Sequence, residues 1–82
     1  MSDPIDFSTY ATGTVLRVEC RDGVKGHVHL NLGVAGDPYP NLLVRDGLDW
    51  EWISAEGFYL QDDISDYDVT EIIGEMVMRE AK

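Results

Sequence analysis

The 82 residues read as one small α+β domain: an antiparallel sheet of four to five strands, arranged as a meander of hairpins, with one C-terminal helix packed on one face. Three observations point there. First, 44% hydrophobic residues, with two Trp, four Tyr and two Phe, supply one packed core and argue against disorder. Second, two Arg-Asp-Gly-aliphatic stretches, RDGV at 21–24 and RDGL at 45–48, each lie between strand-like runs. Asp-Gly is a strong hairpin signal. Third, Val69, Ile72, Ile73, Met76 and Val77 recur at helical spacing.

Residues 1–12 are expected to be irregular, because Ile5, Phe7 and Tyr10 follow no clean period. In the first hairpin, a two-residue turn at Asp22-Gly23 would pair Val18 with His27 and Leu16 with His29, mixing apolar and polar side chains on one face. A loop over 22–24 pairs Leu16 with Leu30 and Val18 with Val28, and a loop ending at Gly26 keeps the same faces. A one-residue slip flips every side chain, so the faces are predicted and the loop length is left open. Arg17, Glu19, Arg21, Lys25, His27 and His29 fall on the opposite face, and Cys20 on the apolar one.

Residues 33–41, GVAGDPYPN, form a turn-rich connection in which Pro38 and Pro40 forbid regular pairing. In the second hairpin, a loop over 46–48 sets Val44 against Trp50, Leu42 against Trp52, Arg45 against Asp49 and Leu43 against Glu51. Trp50 and Trp52 then share the side of Leu42 and Val44, which predicts paired core tryptophans with Asp49 and Glu51 pointing away. The competing expectation is a Trp edge that binds something. Residues 57–61 read as a last short strand with Phe58 and Leu60 inward.

The C-terminal helix has Asp68 and Glu71 at capping-box spacing. Asp66, Asp68 and Glu71 suit the positive end of its dipole, Arg79 and Lys82 the negative end. Gly74 costs such a helix about 1 kcal/mol relative to Ala.

Charge is the strongest compositional feature. There are 16 acids against 6 bases, a net charge of −10, and residues 46–78 hold ten acids and no base. Such a surface repels nucleic acid and anionic membranes, and attracts basic proteins. One cysteine leaves no internal disulfide, and residues 1–10 carry no leader-like apolar segment, so a cytoplasmic location is expected.

Candidate chemistry is sparse. His27 and His29 with Glu19 outline a metal triad, but three well-placed ligands are the minimum for such a site and no other histidine exists. The acidic run 61–75 fails the calcium-loop pattern in both frames: counting from Asp62 puts Tyr67 where Gly is needed, and counting from Asp66 puts Glu71 there. Cys20 has no activating cation cluster, and no nucleophile or phosphate-loop motif is present. The expectation is a protein that is not an enzyme, with no cofactor and no metal.

The carboxylates remain. Asp49 and Glu51 on a strand stand about 6–7 Å apart, and Glu71 and Glu75 on a helix about 6 Å, both near the repeat of backbone phosphates. The reading is a small acidic interaction protein that binds a basic partner protein, with a nucleic-acid-mimicking inhibitor of phage type as its sharpest form. It uses Asp49, Glu51, Asp62, Asp63, Asp66, Glu71 and Glu75, with Trp50 and Trp52 as apolar anchor. The second reading is a structural or homo-oligomeric module in which the acids serve solubility.

Overall fold

Gly23 and Gly47 set the two hairpin turns. Gly23 has φ of 87° and its N–H donates to the Cys20 carbonyl at 2.9 Å. The loop is therefore 21–23, one residue earlier than the 22–24 loop considered above, and the Cys20 N–H donates to the Val24 carbonyl at 2.8 Å. Gly47, at φ 71°, is the third residue of a turn closed by the Leu48 N–H on the Arg45 carbonyl at 3.1 Å. Both conformations lie in the region that side chains with a Cβ resist.

From these turns grows a computed structural model that describes residues 5–7, 9–33, 36–59 and 64–76. Its strands are β1 (Val15–Cys20), β2 (Lys25–His29), β3 (Asn41–Arg45), β4 (Trp50–Ile53) and β5 (Val69–Met76). They form one antiparallel sheet in the order β4-β3-β2-β1-β5. The first four make the expected meander; β5 returns along the far side of β1. The fold is all-β, and the α+β expectation fails because the described residues contain no helix.

The physical reason for that correction lies in β5. Val69, Thr70, Ile72 and Ile73 are β-branched and Gly74 interrupts any helix, so local propensity favours a strand. Pairing with β1 also satisfies an otherwise open sheet edge. The helical spacing has a different origin. Cys20 pairs with Val69 and Glu19 with Glu71, while Val18 pairs with Ile72 and Arg17 with Gly74. Two register shifts thus insert one extra residue each, and the first puts Val69 and Ile72, three apart, on the same face. A β-bulge imitated a helical period. Val77 and the basic residues Arg79 and Lys82 lie outside the described residues.

The apolar face is that of Leu16, Val18 and Cys20 of β1, Val28 of β2 with Leu30 beyond it, Leu43 of β3, Ile53 of β4 and Val69 of β5. The predicted faces of the first hairpin are correct: Leu16, Val18, Val28 and Leu30 are buried, and Arg17, Glu19, Lys25, His27 and His29 lie opposite. Arg21 belongs to the turn instead.

Irregular chain covers this face. Phe7 is buried in the core cluster, and Ile5, Tyr10, Tyr59 and Tyr67, with Ile72 of β5, pack against that cluster. Short polar clamps hold the cover. The Ile5 N–H donates to the Glu56 carbonyl at 3.0 Å, and Ser54 Oγ accepts from the Phe58 N–H at 3.1 Å. Buried Asn41 accepts from the Asn31 N–H at 2.8 Å and donates to the Ser54 carbonyl at 3.1 Å. The strand expected at 57–61 is irregular over 57–59, where Gly57 and Phe58 serve turn contacts; Leu60 and Gln61 are outside the described residues.

Candidate protein-interaction surface

The β3–β4 hairpin has the predicted register: Val44 opposite Trp50, Leu43 opposite Glu51, Leu42 opposite Trp52. Its orientation is the reverse of the expectation. Leu43 and Ile53 are fully buried, whereas Trp50 is 57% and Trp52 37% exposed. The tryptophans stand on the face away from the core, their rings edge to face with centroids 6.4 Å apart.

Arg45 explains the inversion. Its alternation with Leu43 and Asn41 marks that side of β3 as polar by sequence. Yet the Arg45 side chain is only 6% exposed. Its guanidinium donates to Asp22 and lies 4.4 Å from the centre of the Tyr67 ring. A cation so paired and stacked can enter a core edge, which leaves Leu42, Val44 and both tryptophans facing out.

On this open face the registers align two rows across the strands. One runs Trp52, Leu42, His29, Val15, Met76; the other runs Trp50, Val44, His27, Arg17, Gly74. His27 and His29 contact edge to face at 4.9 Å. Burial first, then the charge of His27, lowers the pKa of His29. Leu42, Val44 and the two histidines are surface residues that sequence reasoning did not assign to this site, although strand parity from Trp50 and Trp52 would have found them. Among the described residues no group of three His, Cys, Asp or Glu could hold a metal ion. Glu19 is engaged with Lys25 at 4.0 Å.

The predicted acids divide. Glu51 lies on β4 and Asp49 immediately before it, both on the side opposite the tryptophans, where Asp49 accepts from the Tyr67 hydroxyl. That bond is the first cause of a raised Tyr67 pKa. Asp66, exposed, immediately precedes Tyr67. The sheet edge therefore gathers Trp50, Glu51 and Trp52 on β4 with Asp49 leading into it, and Asp66 adjoins its Tyr67 contact in the chain. Glu71 and Glu75 are on β5, the other edge, four strand spacings or about 19 Å away. Glu71 pairs with Glu19 on the open face and Glu75 with Leu16 on the core side, so the helical carboxylate pair does not exist. Asp62 and Asp63 lie outside the described residues.

The cations of the described residues are paired internally. Arg17 Nη1 reaches Asp46 at 3.0 Å, a contact that raises the pKa of Arg17 and lowers that of Asp46. Arg21 reaches Asp68 at 2.9 Å, Lys25 reaches Glu19, and Arg45 reaches Asp22. Every described Lys and Arg thus has a carboxylate partner. Among the described residues no such cation stands against Asp49, Glu51, Asp66, Glu71 or Glu75.

A cleft of about 550 Å³ opens on the core side, lined by Asp6, Tyr10, Asn31, Asn41 and Glu56 among others. Its described lining has no Ser, Cys or His nucleophile. No helix of the described residues is long and apolar enough to cross a membrane. No protein-family model, curated protein or solved structure matches the chain.

Proposed function

We propose that this chain is a small acidic interaction protein that binds a basic partner protein through strand β4, with Trp50 and Trp52 as anchor and Asp49, Glu51 and Asp66 as counter-charge. One observation supports it above the others. The described Lys and Arg are all tied to internal carboxylates, while two large aromatics stand exposed on the same strand as unbalanced acids. Exposed Trp is the residue type that dominates binding hot spots, and surrounding carboxylates raise the association rate with a cationic surface. Among the described residues only the Asp49–Glu51 spacing retains the phosphate-like repeat, so mimicry of nucleic acid rests on that pair. The protein carries out no reaction in this reading and needs no cofactor.

The test is affinity capture at low salt and at about 0.5 M salt, where the Debye length is roughly 4–5 Å, followed by measurement with the purified partner. A basic protein released by salt, and bound at least tenfold more weakly by the Asp49→Lys/Glu51→Lys variant, is the expected result. No capture, or the same neutral partner at both salts, overturns the proposal and returns the acids to solubility.

A further inference from the structure

Strand β4 is the edge of the sheet, and its backbone parity selects which groups face outward. The Arg45 N–H donates to the Asp49 carbonyl at 2.8 Å. Hydrogen-bonded and non-bonded pairs alternate along an antiparallel ladder. The next bonded pair is therefore Leu43 with Glu51, whose partnership the register gives directly. Trp50 and Trp52 fall in the non-bonded positions, so their N–H and C=O groups point away from β3. Among the described residues no turn, loop or cap backbone hydrogen bond reaches them either. The strand carries no Pro, no Lys and no register shift, the usual guards of an edge. The opposite edge, β5, has two register shifts that disrupt a regular template.

We infer that the partner engages this site by adding an extended strand to the β4 edge, and that the added strand alternates basic and apolar residues. The inference rests on the reading of β4 as the contact strand. Charge and parity select the occupant. A residue of the incoming strand opposite Trp50 or Trp52 lies on the open face, against indole, where a β-branched or aromatic side chain packs best. The residues between them lie on the other face, opposite Asp49 and Glu51, where Lys or Arg is complementary. The period of two on the partner matches the 6–7 Å spacing of the two carboxylates. A second copy of this chain fits less well, because β4 against β4 places acidic Glu51 near its own equivalent, and like charges opposed on strands destabilise pairing. Main-chain bonds then supply affinity, and the alternating side chains supply selection.

The experiment uses the full chain and four capped ten-residue peptides of equal composition in Lys and Val. One alternates Lys with Val, one has them in two blocks, and two alternate but carry N-methyl groups on every second amide, one in each phase. Binding is read by tryptophan fluorescence and by amide shifts in NMR spectra. The expected result is binding of the alternating peptide, with shifts centred on the Trp50 and Trp52 amides. The block peptide and the N-methyl peptide of the blocking phase should bind at least tenfold more weakly. Trp50→Pro, which removes an outward N–H at an edge where Pro is tolerated, should do the same; the N-methyl series serves if that variant does not fold. Equal binding of all four peptides overturns strand addition but leaves a basic partner intact. Binding of none of them, with a basic partner still captured in a salt-sensitive way, overturns the alternating strand alone. Absence of both overturns the two proposals together.

Discussion

Replacing Asp68 by Asn distinguishes a sheet-forming from a helix-forming C-terminal segment by the size of its effect. In the structure the Asp68 side chain is 2% exposed and accepts three hydrogen bonds. Oδ1 takes the Tyr59 N–H at 3.0 Å; Oδ2 takes the Ser65 N–H at 3.0 Å and Arg21 Nη2 at 2.9 Å. Asn preserves shape and one acceptor. Its amide group then confronts the Ser65 N–H and the Arg21 guanidinium, donor against donor. Charge-assisted hydrogen bonds contribute about 1.5–3 kcal/mol each, and breaking a buried ion pair costs about 3–5 kcal/mol. The Arg21 side chain is 23% exposed and recovers some hydration, which places the loss near the lower end, about 3 kcal/mol. For a domain of this size that is a fall in Tm of about 12 °C or more. At a helix N-cap, by contrast, Asn and Asp are nearly equivalent, and the change would be a few tenths of a kcal/mol. Urea unfolding followed by circular dichroism reads the difference, with an unchanged denaturant slope showing that the same transition is compared. Asp66→Asn, at an exposed neighbour, is the control and should stay within about 0.5 kcal/mol. A loss below about 1 kcal/mol for Asp68→Asn would refute the clamp.

Gly26→Ala should destabilise by about 2 kcal/mol or more, since its Cβ would stand 2.3 Å from the Val44 carbonyl oxygen, a backbone atom of the paired strand; Gly74→Ala, with nothing within 4 Å, should be neutral or mildly stabilising in the same urea assay. Burial pushes the Cys20 thiol up to about 11, so a chromogenic disulfide reagent at pH 8 should label it only after denaturation; rapid labelling of native protein contradicts the core position. His29 is held below its ordinary value of 6.5 by burial and by His27. The unfolded chain therefore binds more protons between that folded value and 6.5, stability falls as pH drops through this window, and His29→Gln should flatten the slope measured between pH 7 and 5. The Asp46 contribution belongs to more acid conditions: Arg17 holds its carboxyl below the ordinary 3.8, so that stability is lost only as pH falls through and below that value.

Several features were legible without coordinates. Strand parity and the Asp-Gly turns determined that residues 15–29 and 41–53 form hairpins, which side chains share a side, and the full register of β3 against β4. These are local matters, set by a period of two and by turns that two glycines impose. The sequence also determined the charge imbalance and its concentration beyond residue 45. What it left undecided was which side of the second hairpin is buried. Leu42, Val44, Trp50 and Trp52 form the more apolar side, yet the core took Leu43 and Ile53. That choice depends on Asp22, 23 residues before Arg45, and on Tyr67, 22 residues after it, which together make burial of the guanidinium tolerable. The C-terminal segment depended on tertiary structure in the same way. Its helical spacing is real, but the open edge of β1 offers backbone partners along the whole strand, and register shifts convert a spacing of three into a single strand face. Periodicity reports which residues can lie together on a surface; pairing and burial, both contributed by distant chain, decide what that surface meets.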